Sequence, residues 1–234
     1  LTALVIPDSV TFVGYAAFND CASLVSVTLG AGVASLPDRL FDGCTSLQII
    51  ATSPQHPFYS SIDGVLFDKA RVELVLYPFG RVGAYVVPSG TQRIGDMAFL
   101  ECPGLAGLVF PDSLRSIGAH ACSGCRQLTT IAFGHGLTSI GVSAFSGCHS
   151  LGNVNLPDSL AIIDSSVFAS CGELSSVTLG TGVAWLDFSA FFNCFNLTQV
   201  AFFGDAPPTT STGLDDLHQF TVVYFRGRTG FSSP

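Results

Sequence analysis

Apolar residues recur along the chain in short, evenly spaced groups that polar and turn-forming residues separate. Cut at a period of 23 residues, the sequence gives seven regular units that align with one another: 1–23, 24–46, 82–104, 105–127, 128–150, 151–173 and 174–196. The same period separates the cysteines within two groups, Cys21 and Cys44, and then Cys102, Cys125, Cys148, Cys171 and Cys194. This fixed period predicts a solenoid of stacked coils, because one such unit cannot bury its own apolar edge.

The positions within the unit, numbered 1 to 23, predict its local structure. Positions 4 and 6 are apolar, as in Leu4 and Ile6, and this period of two is typical of a strand with one face inward. Position 7 is Pro or Gly, which ends the strand and starts a corner. Apolar positions 10 and 13 predict a second short strand. Ala-Phe-x-x-Cys at positions 17 to 21 predicts a helical turn with one inward face. We therefore expect an α/β repeat solenoid with a parallel sheet and short helical turns.

Two units carry a recognisable family signature. LTALVIPDSVTFVGYAAFNDC (1–21) and LTTIAFGHGLTSIGVSAFSGC (128–148) resemble LxxVxIPxSVxxIGxxAFxxC, the pattern of the BspA-like, or treponemal-type, leucine-rich repeats. The resemblance covers almost the whole chain. It implies a right-handed leucine-rich-repeat superhelix, and it implies proteins that are often secreted or displayed on the cell surface and that act in adhesion or recognition.

We expect a single solenoid domain over 1–234, with regular repeats at 1–46 and 82–196. Segment 47–81 departs from the period, and YSSIDGVLFD followed by RVELVLYP predicts two strands around a short turn, hence an irregular, hairpin-like coil. It resembles the family segment NPYYSSIDGVLF, with His56 in place of the usual Asn, and it is either a structural variant coil or a recognition loop. Segment 197–234 is expected to cap the open end of the stack. The chain begins in the middle of the pattern without Met, so we expect a piece of a longer protein.

Composition narrows the possible functions. The chain is 48% hydrophobic and 11% charged, yet turn residues interrupt every apolar run, so no membrane-spanning helix and no membrane insertion is expected. The net charge is −8, which disfavours binding of nucleic acid through its phosphates and binding to a membrane through a basic patch.

The stretch CSGC places Cys122 and Cys125 at the spacing of a redox dithiol or of half a zinc site. In the repeat frame, however, Cys125 is the cysteine of position 21, and Cys122 replaces the Phe that the other six units have at position 18. We therefore favour two buried, free packing thiols, with local underpacking where the ring is missing.

No catalytic, cofactor-binding or metal-binding constellation is expected. The five histidines are placed at turn or outward positions without a metal-binding spacing: His56, His120, His135, His149 and His218.

The candidate partner-binding residues are four aromatic residues at positions that should face outward, Trp185, Phe188, Phe192 and Phe195. Clustered exposed aromatic residues mark a contact surface. The alternative is that the C-terminal segment lies over some of them. In contrast, the outward positions 3 and 5 of the first strand carry small, neutral side chains, which are poor anchors for a tight interface.

These features favour a non-enzymatic protein-interaction or adhesion module in a larger secreted or cell-surface protein, binding a protein or a host or matrix ligand. This hypothesis rests partly on the family resemblance. The alternatives are a structural spacer or display stalk without a specific ligand, and a targeting arm for a catalytic domain elsewhere in a longer chain.

Overall fold

The computed structural model describes residues 1–205, 221–224 and 229. Its strands in chain order are β1 (Ala3–Val5), β2 (Ser26–Leu29), β3 (Ile49–Thr52), β4 (Tyr59–Ile62), β5 (Val65–Asp68), β6 (Glu73–Leu76), β7 (Val82–Val86), β8 (Arg93–Ile94), β9 (Gly104–Val109), β10 (Ser116–Ile117), β11 (Thr130–Ala132), β12 (Ser139–Ile140), β13 (Asn153–Asn155), β14 (Ile162–Ile163), β15 (Ser176–Leu179), β16 (Trp185–Leu186), β17 (Gln199–Phe202) and β18 (Thr221–Tyr224). One 3-10 helix, η1 (Phe188–Phe191), follows β16.

Successive coils stack through parallel strand pairs at the period of the sequence. Leu4 pairs with Val27 in the first strands of the first two units, and Ile117 pairs with Ile140 in the second strands further along the chain. The first strands form the sheets β1-β2-β3, β7-β9-β11 and β13-β15-β17-β18, whereas the second strands join one eight-stranded sheet ordered β16-β14-β12-β10-β8-β6-β5-β4. The fold is therefore a leucine-rich-repeat β-solenoid of about nine coils.

The core lies between the two sets of strands and the turns that close each coil. Inward positions of both strands are buried, and Phe at position 18 forms a ladder in which the rings of Phe145 and Phe168 stack at 5.6 Å and those of Phe168 and Phe191 at 6.0 Å. Each ring thus packs on its counterpart in the next coil. Because the same residue types recur every 23 residues, equivalent side chains of successive coils stack and form the core.

The prediction of helical turns is wrong for the regular units before the last one, in which η1 covers Ala190 and Phe191, and the fold is not α/β. The segment around Ala-Phe-x-x-Cys forms turns whose N–H groups bond to the next coil: Cys122 N–H donates to the Ala144 carbonyl at 2.7 Å and Phe145 N–H to the Val167 carbonyl at 2.8 Å. A helix would require the same donors within one coil.

Backbone angles explain this outcome. Left-handed φ values interrupt the segment at position 16 in six regular units and at position 20 in all seven. These residues are Ala16, Arg39, Met97, His120, Ser143 and Ser166, and then Asp20, Gly43, Glu101, Gly124, Gly147, Ser170 and Asn193. The exception at position 16 is Ser189, which lies in η1.

Outside unit 82–104, whose corner is Pro-Ser-Gly, the corners of successive regular units alternate between Pro-Asp-Ser and Gly-x-Gly for a packing reason. The Asp112 carboxylate accepts a hydrogen bond from His135 N–H of the next coil at 2.8 Å. That approach brings Gly134 against the Pro111 carbonyl, where a Cβ atom would overlap the backbone. The same carboxylate bond joins Asp8 to Ala31 and Asp158 to Thr181.

Segment 47–81 begins with β3, and the hairpin-like part that follows it contains three strands rather than the two that we expected. The Asp63-Gly64 turn, with φ of 49° and 79°, divides the first predicted strand into β4 and β5, as an Asp-Gly hairpin turn does. β6 then returns antiparallel to β5 and runs parallel to β8, so the hairpin extends the second sheet. The expected C-terminal cap falls mostly on 206–220 and 225–234, which lie outside the described residues except for Thr229; β18 pairs in parallel with β17.

Candidate functional site

The four predicted aromatic residues all lie in the coil 174–196, but they differ in setting. Trp185 is half-buried on β16, where it pairs with Ile162 of β14. Phe188 is the first residue of η1. Phe192 and Phe195 follow in the next turn and are 60% and 71% exposed.

The turn that carries Phe192 is well anchored. The Asp187 carboxylate caps η1 by accepting hydrogen bonds from Ser189 N–H at 3.0 Å and Ser189 Oγ–H at 2.6 Å. Phe192 N–H donates to the Ser189 carbonyl at 3.0 Å, and the Phe192 carbonyl accepts from Ser170 N–H at 2.7 Å. The exposed ring therefore projects from a backbone that is bonded within its own coil and to the preceding one.

Ring contacts do not join those of the aromatic residues whose side chains the structure describes. Among the described side chains, no aromatic pair links Trp185, Phe192 and Phe195. The alternative that the C-terminal segment covers some of them falls on 206–220 and on 225–234, which are outside the described residues apart from Thr229.

Two further exposed aromatic residues were missed at the opposite end of the stack. Phe12 is 80% exposed and Tyr15 is 69% exposed. They occupy positions 12 and 15 of the first unit, the same positions that Trp185 and Phe188 occupy in the last regular unit. The rule that identified Trp185 would have found them.

The cysteines form a structural ladder. Within it, Cys125 Sγ–H donates to the Phe99 carbonyl of the preceding coil at 3.0 Å, and Cys148 Sγ–H donates to the Cys122 carbonyl at 3.3 Å. All eight cysteines are free, and Cys122 and Cys125 are fully buried. Burial raises the pKa of the Cys125 thiol to about 12 and that of Cys122 well above its ordinary value. CSGC therefore lacks the exposed thiolate that dithiol chemistry needs.

His56 departs from the expected solvated position. Its ring is fully buried, with Nε2 3.0 Å from the Gly30 carbonyl and Nδ1 accepting N–H bonds from Phe58 and Tyr59 at 3.2 and 3.1 Å. Because Nδ1 accepts, Nε2 carries the proton and donates to Gly30. Burial is the main reason that the pKa of His56 is lowered. The side chain ties the hairpin to the corner of the second coil.

A cleft opens where segment 75–79 crosses between the turns 36–42 and 96–100, and its volume is about 120 Å³. Within the described part of the chain, no group of three or more His, Cys, Asp or Glu side chains is arranged to hold a metal ion. None of the helical segments there is long and apolar enough to cross a bilayer.

Comparison with known proteins identifies the repeat family and solved structures with the same fold. A family model described as BspA type leucine-rich repeat region matches residues 1–73 and 85–206 in six copies. The chain is similar to a leucine-rich cell surface protein from Faecalibacterium prausnitzii A2-165, with 30% identity and a TM-score of 0.73 over 91% of this chain. It spans 64% of that structure's length.

Two other solved structures share the architecture. The pneumococcal vaccine antigen PcpA is 21% identical with a TM-score of 0.73, and the alignment covers 97% of this chain and 68% of PcpA. A leucine-rich repeat protein from T. pallidum is 32% identical with a TM-score of 0.54, over 64% of this chain and 70% of that one. At its identity, PcpA supports the fold alone. Among curated proteins, no sequence matches the chain.

Proposed function

Because the chain belongs to the BspA-type leucine-rich repeat family, we propose that it is a non-enzymatic recognition module of a secreted or cell-surface protein. The observation that carries the proposal is the exposure of Phe192 on an anchored turn and of Phe195 on the turn that follows it. Large apolar side chains are costly to leave in water, and a partner that covers them gains roughly 25 cal/mol for each Å² of apolar surface removed from water.

The proposed surface comprises Trp185, Phe188, Phe192 and Phe195. Aromatic side chains are the residues that most often anchor protein interfaces, since each buries a large area at a low cost in conformational entropy. A turn held by backbone hydrogen bonds adds to this advantage, because little ordering is needed on binding. The partner class that we propose is a protein, including a host or matrix protein.

A surface location is supported by the similarity to the F. prausnitzii protein, which is a cell surface protein. We extend that location to this chain as part of the proposal. A more specific version of this proposal is that the recognition module acts in adhesion.

The test is binding of the purified chain to an array of host, matrix and glycan ligands, followed by measurement of affinity for any specific hit. We expect Trp185→Ala and Phe192→Ala to weaken binding by about tenfold or more, the loss expected for an interface anchor. The melting temperature should stay unchanged for Phe192→Ala, whose ring is exposed, and should fall for Trp185→Ala, whose ring is half-buried. Phe12→Ala is the matched control, because Phe12 is also exposed, at 80% against 60% for Phe192, and lies at the opposite end of the stack. Equal losses in Phe12→Ala and Phe192→Ala would contradict the proposed surface.

A spacer without a specific ligand is the second candidate. Its support is the outward face of the β13-β15 pair, where Asn153, Ser176, Asn155 and Thr178 give a small, uncharged surface. Absence of specific binding across the array would favour this candidate over recognition.

A further inference from the structure

The irregular coil crosses from the second sheet to the next coil by a shortened path. Leu74 pairs with Ile94, and the seven residues 75–81 lead from Leu74 to position 1 of the next unit, whereas the ten residues 95–104 make the same connection after Ile94. The short path leaves part of the two flanking turns uncovered. The cleft between 36–42 and 96–100 lies at this point.

The shortened crossing also interrupts the backbone hydrogen bonds that join neighbouring turns. Tyr77 N–H donates to the Ala98 carbonyl at 2.8 Å, as a regular coil would. Within the described residues, however, the N–H groups of Phe41 and Gly43 have no acceptor on the crossing segment, and the carbonyl of Leu100 has no donor from it. An extended peptide presents donors and acceptors that complete such a broken ladder.

The rim of the cleft is acidic. Asp38, Asp42 and Asp96 line it, and Arg39 is the one cation among the lining residues. Arg39 lies 3.5 Å from the Asp42 carboxylate but remains largely exposed. Burial, together with the charge of Glu101, raises the pKa of Asp42 despite Arg39. The carboxylates thus outnumber the cations beside an apolar surface.

The floor of the cleft is apolar and only half-covered. Leu36, Leu76, Phe79 and Met97 each keep part of their surface exposed there. An arginine or lysine side chain suits both features, because its aliphatic stem packs on apolar surface while its cation stays at a charged rim.

We propose that this cleft docks an extended basic segment of a partner protein, with one arginine or lysine side chain lying along the floor and its cation at Asp38 and Asp42. The peptide backbone pairs with the open groups of Phe41, Gly43 and Leu100. Charge complementarity of this kind favours the correct partner and speeds association. The site is distinct from the aromatic surface of the coil 174–196.

The probe for the test is a fluorescein-labelled peptide of alternating valine and arginine residues, titrated with the full chain by fluorescence anisotropy. Two matched peptides carry citrulline in place of arginine, or N-methylated backbone amides. We expect Asp38→Asn and Asp42→Asn each to weaken binding of the arginine peptide by about tenfold. Glu173→Gln, which removes one charge from an exposed residue outside the cleft, is the matched control and should leave the affinity unchanged.

Several results would overturn the proposal. They are the absence of saturable binding up to about 1 mM, equal affinity for the citrulline or N-methylated peptide, or an equal loss in Glu173→Gln and Asp42→Asn. The last result would show attraction to the net negative charge alone. Variants of Phe192 should leave this titration unchanged, so failure here and failure of the proposed aromatic surface are distinguishable.

Discussion

His56 and Gly30 are joined by a hydrogen bond between the imidazole Nε2 and the Gly30 carbonyl, 3.0 Å apart, across the boundary between the second coil and the hairpin segment. The other ring nitrogen accepts from two successive backbone N–H groups, at Phe58 and Tyr59. One neutral side chain therefore satisfies three backbone groups at the place where the regular period stops. This arrangement links the stability of the irregular coil to the protonation of His56.

The first prediction is a loss of stability in mild acid. Burial and the nearby Lys69 lower the pKa of His56 from its ordinary value of 6.5, and the Gly30 carbonyl and Asp8 oppose that shift only in part. The unfolded chain therefore takes up a proton near pH 6.5 more readily than the folded chain. The stabilisation from His56 is present in full above that pH and declines as the pH falls below it. Urea unfolding between about pH 7.5 and 5 measures the slope.

His56→Asn tests the origin of this slope. Asparagine is the residue that the similar family segment carries, and it can donate and accept hydrogen bonds without titrating. The variant should lose the part of the pH dependence that His56 contributes as the pH falls below 6.5. His149→Asn, at an exposed histidine, should keep the wild-type slope. Parallel pH profiles for wild type and His56→Asn would refute the link.

The burial of His56 also shows what the sequence could and could not predict. Inside the regular units, the period of 23 correctly placed inward residues of both strands, and in the turns it correctly placed the buried thiols of Cys122 and Cys125. Between 47 and 81 the period is suspended, so no position number marked His56 as inward. Because histidine can carry a charge, we expected its side chain to lie in a solvated turn.

The missed turn geometry has a different cause. Ala-Phe-x-x-Cys has three-residue spacing, which puts its side chains on one face of a helical turn and equally in the observed turns. What separates the two structures is the left-handed backbone at positions 16 and 20. At position 16, residues such as Arg39 and Met97 are not types that favour such angles, and the bonds to the next coil stabilise them. Position 20, in contrast, is Gly, Asp or Asn in five of the seven units, which are types that favour left-handed angles, and this signal was missed.

The second prediction concerns the alternating corners. Gly134→Ala should destabilise the fold by roughly 1–3 kcal/mol, the range for overpacking, because the new Cβ overlaps the Pro111 carbonyl that the Asp112 bond brings close. Gly152→Ala is the control, since a Cβ there meets no atom within 4 Å. Denaturant unfolding of both variants measures the difference. Equal stabilities would mean that the corner backbone moves apart at little cost.

The third prediction concerns Cys122, where the aromatic ladder lacks a ring. The sequence alone suggested that Cys122→Phe would be tolerated or stabilising. In the structure, Phe110 and Phe133 at position 6 stack at 5.8 Å, and Phe133 meets Phe145 edge-on at 5.9 Å. Phe133 thus packs against Phe145, the ring that follows Cys122 in the position-18 ladder, and we expect it to fill part of the space beside Cys122. On this ground Cys122→Phe alone should cost roughly 1–3 kcal/mol.

A double-mutant cycle tests whether Phe133 occupies space that a Phe side chain at position 122 would need. Adding Phe133→Leu to Cys122→Phe removes bulk beside the new ring, and it should restore part of the lost stability. Residues in contact through one packed layer show such coupling, of about 0.5–3 kcal/mol. Strictly additive free energies of unfolding would mean that the two positions do not share space.

The fourth prediction separates packing thiols from reactive ones. The thiolate is the nucleophile in alkylation, and burial raises the pKa of Cys44 to about 11 and that of Cys125 to about 12. Under native conditions near pH 8, iodoacetamide should therefore modify the half-buried Cys21 first, whereas Cys122 and Cys125 react only as the chain unfolds. After denaturation without reductant, intact mass should show eight modified thiols. The Cys21→Ser variant should show almost no native modification; rapid modification of Cys122 or Cys125 in the folded chain would instead establish an accessible dithiol.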